Sequence, residues 1–79
     1  MIEKRVAQRF RVLKGGTVTT DARRIPCTVR NISSSGVAVE FAQRVDLPPT
    51  FTLVIENDRF ARRCRPVWSE KRRAGMAFC

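Results

Sequence analysis

Two short patterns in this sequence set side chains at spacings suited to recognition chemistry. Arg5 and Arg9 form an Arg-x-x-x-Arg near the N-terminus, and Asn31-Ile32-Ser33-Ser34-Ser35-Gly36 forms an Asn-x-Ser-x-x-Gly between two strand-like stretches. A guanidinium is a planar fork of donors that matches phosphate oxygens and the O6/N7 edge of guanine, and its flat cation stacks on a purine face. Asparagine pairs with a base edge, serine donates to a phosphate or base, and glycine lets backbone come close to a ligand. A guanine nucleotide carrying phosphates would use all of these groups, whereas a plain anion would not need the asparagine. Each pattern alone also has a plain structural explanation, since arginines four apart decorate solvated helix faces and Asn, Ser and Gly are turn residues. Gly36 reads in two ways: room for a ligand, where valine would cost the fold little, or a turn residue at positive φ.

Catalysis has little to work with. There is no His, the usual general base, and the seven acids (Glu3, Asp21, Glu40, Asp46, Glu56, Asp58 and Glu70) are spread singly along the chain. Gly15-Gly16 lacks the further glycines and following helix of a phosphate-binding loop. Cys27, Cys64 and Cys79 are odd in number and, without His, fit neither a zinc site nor a disulfide framework. The sequence therefore predicts a binding module with no catalytic residues, no metal and no cofactor. Sixteen Lys and Arg against seven acids leave a net charge of +9, which points to an anionic partner. No apolar run approaches the roughly 20 residues of a membrane span, and no signal-like stretch opens the chain, so a reducing cytoplasm is the expected compartment.

The elements that must carry these groups are short strands. Seventy-nine residues make one small domain. Runs rich in Val, Thr, Ile and Phe, separated by turn residues, predict strands over 17–20, 24–30, 36–41, 51–56, 59–68 and 75–78. Alternation assigns Val37, Val39, Phe41, Phe51, Leu53 and Ile55 to the core. Asn57-Asp58 suits a type I′ hairpin turn, and in the arm that follows Cys64, Pro66 and Trp68 share a face opposite Arg63 and Arg65. Trp68 is thereby expected in the core, and Pro66, which cannot donate to a ladder, marks a sheet edge. Residues 1–14 read as an arginine-containing N-terminal loop before a barrel over 15–79. Periodicity also allows an amphipathic helix through Ile2, Val6, Phe10 and Leu13, or a strand starting at Phe10-Arg11-Val12. A second basic cluster, Arg59, Arg62, Arg63, Arg65, Lys71, Arg72 and Arg73, reads as a solvated charged strand. Its interleaved Phe60 and Trp68 leave a partner surface or single-stranded nucleic-acid groove as the alternative.

Taken together, Arg5, Arg9, Asn31, Ser33 and Gly36 make the sequence resemble the PilZ domains, bacterial receptors for the second messenger cyclic di-GMP. Glu3-Lys4-Arg5 looks like the family's lead-in and Gly75-Met76-Ala77-Phe78 like its final strand. The resemblance implies an all-β fold, a six-stranded antiparallel β-barrel, over which the N-terminal arginine loop closes on ligand. It implies that Arg5 and Arg9 clamp guanine and phosphate while Asn31, Ser33 and Gly36 contact the ligand from the barrel, with Lys4 and Ser35 as secondary contacts. Lys4 reads either as a solvated lysine or as a further cation that would help hold a second stacked cyclic di-GMP. Ordering of residues Ile2 to Arg9 on binding would make a new surface for a protein effector. Two departures stand out: the second motif opens with Asn rather than the commoner Asp, and the chain ends at Cys79 without the C-terminal helix of many relatives. The alternatives are a small basic barrel for single-stranded nucleic acid and a PilZ-like interaction domain without ligand.

Overall fold

Strand-forming residues at period two close on themselves. A computed structural model describes residues 10–79 as six strands: β1 (Phe10–Thr19), β2 (Arg24–Ile32), β3 (Gly36–Phe41), β4 (Phe51–Ile55), β5 (Phe60–Glu70) and β6 (Arg73–Phe78). They form a closed antiparallel barrel in the order β1-β2-β3-β6-β5-β4, two three-stranded meanders joined along β3–β6 and β1–β4. No α-helix occurs among the described residues, and no helix there is long and apolar enough to cross a membrane.

The six core residues expected from alternation are all buried. Val18, Ile25, Val29, Ala74, Met76 and the thiols of Cys27 and Cys64 join them, and no polar or charged residue is buried among the described residues. Because β3 and β4 are not neighbours, residues 42–50 must cross between the two meanders, and Val45 and Leu47 of that connection pack against the core.

Several local expectations give way to the closure of the barrel. Gly15-Gly16 does not precede the first strand but lies within it, so residues 10–14 are strand and neither loop nor helix. The Ile2–Arg9 segment, with Lys4, Arg5 and Arg9, lies outside the described residues. The β4–β5 turn is a 3₁₀ turn, Glu56–Asp58, and the one positive φ falls on Arg59 (53°), whose N–H donates to the Glu56 carbonyl at 3.2 Å. Lys14 Nζ ties that turn to β1 by donating to Asp58 Oδ2 at 2.6 Å. The β5–β6 turn contracts to Lys71-Arg72, with Lys71 at φ 55°, so β5 runs on to Glu70 and β6 begins at Arg73.

Strand β4 is short and pairs only with Thr17–Thr19 of β1 and Phe60–Cys64 of β5. The first part of β1 pairs with β2 alone, and β5 beyond Cys64 pairs with β6 alone. Pro66 lies on that one-sided stretch, where its missing N–H costs least.

Burial also sets an alkaline limit on stability. The Cys27 thiol is pushed up from 9.0 to about 11 by desolvation, and burial raises Cys64 in the same direction. A thiol that stays protonated in the fold but ionises in the unfolded chain costs stability as pH rises, beginning near the unfolded value and levelling off above the folded one. Urea denaturation is expected to lose about 2 kcal/mol at Cys27 between about pH 8 and about pH 10.5, a loss that Cys27→Val removes. Identical pH profiles for wild type and variant would contradict the burial.

Candidate functional site

The barrel's outer face carries one row of side chains that crosses five strands. Cα pairing runs Arg11 (β1), Asn31 (β2), Ala38 (β3), Gly75 (β6), Trp68 (β5). The flanking pairs Val29–Val39 and Val37–Met76 are buried, so the row faces outward.

Three register shifts break the sheet, and all three touch this row. One lies between Arg11 and Lys14 of β1, one between Val29 and Asn31 of β2, and one between Pro66 and Trp68 of β5. In β2 the extra residue opposite β3 is Arg30, and in β5 it is Val67. A bulge re-aims the residue that follows it. Strict alternation from Val29 would send Asn31 inward, and strict alternation from Cys64 would send Trp68 inward; each bulge turns its residue out. Trp68 is accordingly 43 % exposed, not part of the core as its spacing suggested.

The indole lies against Gly75. A Cβ on Gly75 would come within 2.1 Å of Trp68 Nε1, so only glycine lets the ring sit there. Around it the surface is concave on two sides. A groove of about 600 Å³ is lined by Arg11, Leu13, Arg30, Asn31, Trp68 and Arg73, among others, and a smaller one of about 210 Å³ reaches to Ser33, Ser35 and Gly36. Ala38 and Trp68 line both, so the structure gathers Asn31, Ser33, Ser35 and Gly36 around one aromatic plane.

The β2–β3 turn is built by the motif itself. Ser33 Oγ accepts from the backbone N–H of Ser35 and of Gly36, both at 3.2 Å, and Ser33 N–H donates to the Gly36 carbonyl at 2.8 Å. The Ser35 carbonyl accepts from Phe78 N–H at 2.9 Å, which fastens the turn to β6. Gly36 fits neither of its two sequence readings in full. Its φ is not positive, and its missing side chain makes room for backbone, because a Cβ would fall 2.3 Å from the Met76 carbonyl oxygen.

The second basic cluster disperses over the barrel. Arg62 sits 4.6 Å above the Phe78 ring, which also tilts against Phe60, and Arg63 donates to Thr50 Oγ1 at 2.9 Å. Arg72 pairs with Glu40 at 3.5 Å, and only Arg73 reaches the groove. Trp68, Arg11, Arg30 and Arg73 thus line the groove beside Asn31; the sequence reading expected Trp68 in the core and Arg73 on a solvated strand, and gave Arg11 and Arg30 no role. Pro66 carried the one available hint, since proline within a strand also marks bulges.

No cluster of three metal-ligating side chains occurs among the described residues. A family model described as PilZ domain matches residues 3–79. No curated protein matches the chain.

Proposed function

The chain belongs to the PilZ domain family, and from that membership and the outward row on the barrel we propose that it is a receptor for cyclic di-GMP, acting by binding and not by catalysis. The observation that carries the reading is the convergence of three bulges on Arg11, Asn31 and Trp68. Sheet irregularity of this kind re-aims side chains beside functional sites, and here it sets an amide and an exposed indole on one face.

In this reading Arg5 and Arg9 close from the N-terminal side on guanine and phosphate. Asn31 meets a base edge, and Trp68 gives a base a plane to stack on, a contact worth about 1–3 kcal/mol. Ser33 acts first on the turn that presents Gly36 and Ser35, and Lys4 assists a second stacked ligand. Ligand fixes the Ile2–Arg9 segment against the barrel, and the surface so formed engages a protein effector in a reducing cytoplasm.

Trp68 is the only tryptophan, so its emission reports on the site alone. Cyclic di-GMP is expected to change that emission and to bind more tightly than cyclic di-AMP, which lacks the guanine O6 acceptor. With two phosphates to neutralise, the affinity should fall only modestly with salt, whereas a single-stranded oligonucleotide would lose affinity steeply. Equal binding of the two cyclic dinucleotides beside a tightly bound oligonucleotide would favour the nucleic-acid reading instead.

A further inference from the structure

Two concavities on the barrel are nearly equal in volume and differ in charge. The one of about 580 Å³, between the β1–β2 turn and the connection into β4, mixes Arg23 and Arg63 with Asp21 and Asp46. The groove of about 600 Å³ beside Asn31 is lined by Arg11, Arg30 and Arg73 and by no acid.

Glu40 and Glu70 stand in register with Arg73 across the strands, yet neither forms an ion pair with it, and Glu40 is already taken. Glu40 Oε1 takes Arg30 Nη1 at 3.0 Å and Glu40 Oε2 takes Arg72 Nη2 at 3.5 Å, two cations on one anion. Arg30, the bulge residue immediately before Asn31, is thereby held at the groove wall. Arg11 and Arg73 have no ion-pair partner among the described residues. Like charges gathered on one concave wall concentrate a positive field there, and a guanidinium is well matched to phosphate oxygens.

We propose that Arg11, Arg30 and Arg73 form a phosphate-binding subsite on the barrel wall, distinct from the Arg5/Arg9 pair. It receives the phosphodiester groups of the nucleotide while exposed Leu13 and Trp68 offer apolar surface to its rings. The inference rests on the cyclic di-GMP reading and adds a second set of cations to it. Affinity then depends on the wall even when both sequence motifs are intact.

The test compares two double variants with the same change in net charge, Arg11→Gln/Arg73→Gln in the groove and Arg23→Gln/Arg44→Gln outside it. Calorimetric titration with cyclic di-GMP over a salt series is expected to give about tenfold weaker binding and a shallower salt dependence for the groove variant. The control should stay within about twofold of wild type. All four side chains are exposed, and thermal melts verify folding, with single Arg73→Gln as the milder variant. Equal weakening of both doubles, or an unchanged groove double, would overturn the subsite and leave the receptor reading standing. No binding of cyclic di-GMP by wild type would overturn both.

Discussion

Gly36→Val is expected to lower the melting temperature by roughly 10–20 °C, corresponding to a loss of about 3 kcal/mol in a domain of this size. The valine Cβ would have to occupy a point 2.3 Å from the Met76 carbonyl oxygen, and that oxygen belongs to the paired backbone of β6. Backbone cannot swing aside as a side chain can, so β3 and β6 must part where Gly36 pairs with Ala77. Gly75→Ala supplies the contrast. There the obstacle is the exposed Trp68 indole, which can rotate away, so the fold should lose less while the emission of Trp68 changes. Thermal melts of the two variants decide the matter. A Gly36→Val protein that melts near wild type would mean that the close approach to β6 is not what requires glycine, and would return this position to the ligand.

Loss of the N-terminal arginines should have the largest effect on binding. Arg5→Ala and Arg9→Ala each remove a charge-assisted contact of about 2 kcal/mol, or about thirtyfold in affinity for cyclic di-GMP. If the two act independently, the double variant loses about a thousandfold. The buried core of the described residues is apolar and runs from Val18 to Met76, and replacing these arginines deletes none of it, so the melting temperature should stay close to that of wild type. Calorimetric titration together with a thermal melt in excess ligand measures both quantities, because a ligand that binds only the folded protein raises its stability. A double variant with wild-type affinity would remove the clamp role from Arg5 and Arg9 and leave the phosphate contacts to the wall arginines.

Local rules determined most of the barrel. In β3 and β4, Val37, Val39, Phe41, Phe51, Leu53 and Ile55 alternate with Ala38, Glu40, Thr52 and Val54, and a side-chain period of two sets all six on one face. The six strands and their all-β class follow from such runs, as does the tight turn after Ile32, where Ser33 provides the hydrogen bonds that Ser35 and Gly36 need. The identities of Asn31, Ser33 and Gly36 likewise carried the family resemblance, to which the match over residues 3–79 corresponds.

Tertiary structure alone decided where the alternation breaks. A bulge is one extra residue on one strand, set by the register of the neighbouring strand, and no local pattern in 60–70 specifies that Val67 is the residue passed over. That single shift carries Trp68 from the expected core to the surface, and the shift at Arg30 carries Asn31 out beside it. Nor does a chain position reveal that Arg11, Arg30 and Arg73 share a wall, because β6 comes to the face that β1 and β2 carry only when it pairs with β3. Gly36 makes the same point at one atom. The sequence offers a turn or a ligand as the reason for glycine, but the Met76 carbonyl that fills its missing side chain lies forty residues further along the chain, and only strand pairing brings it there.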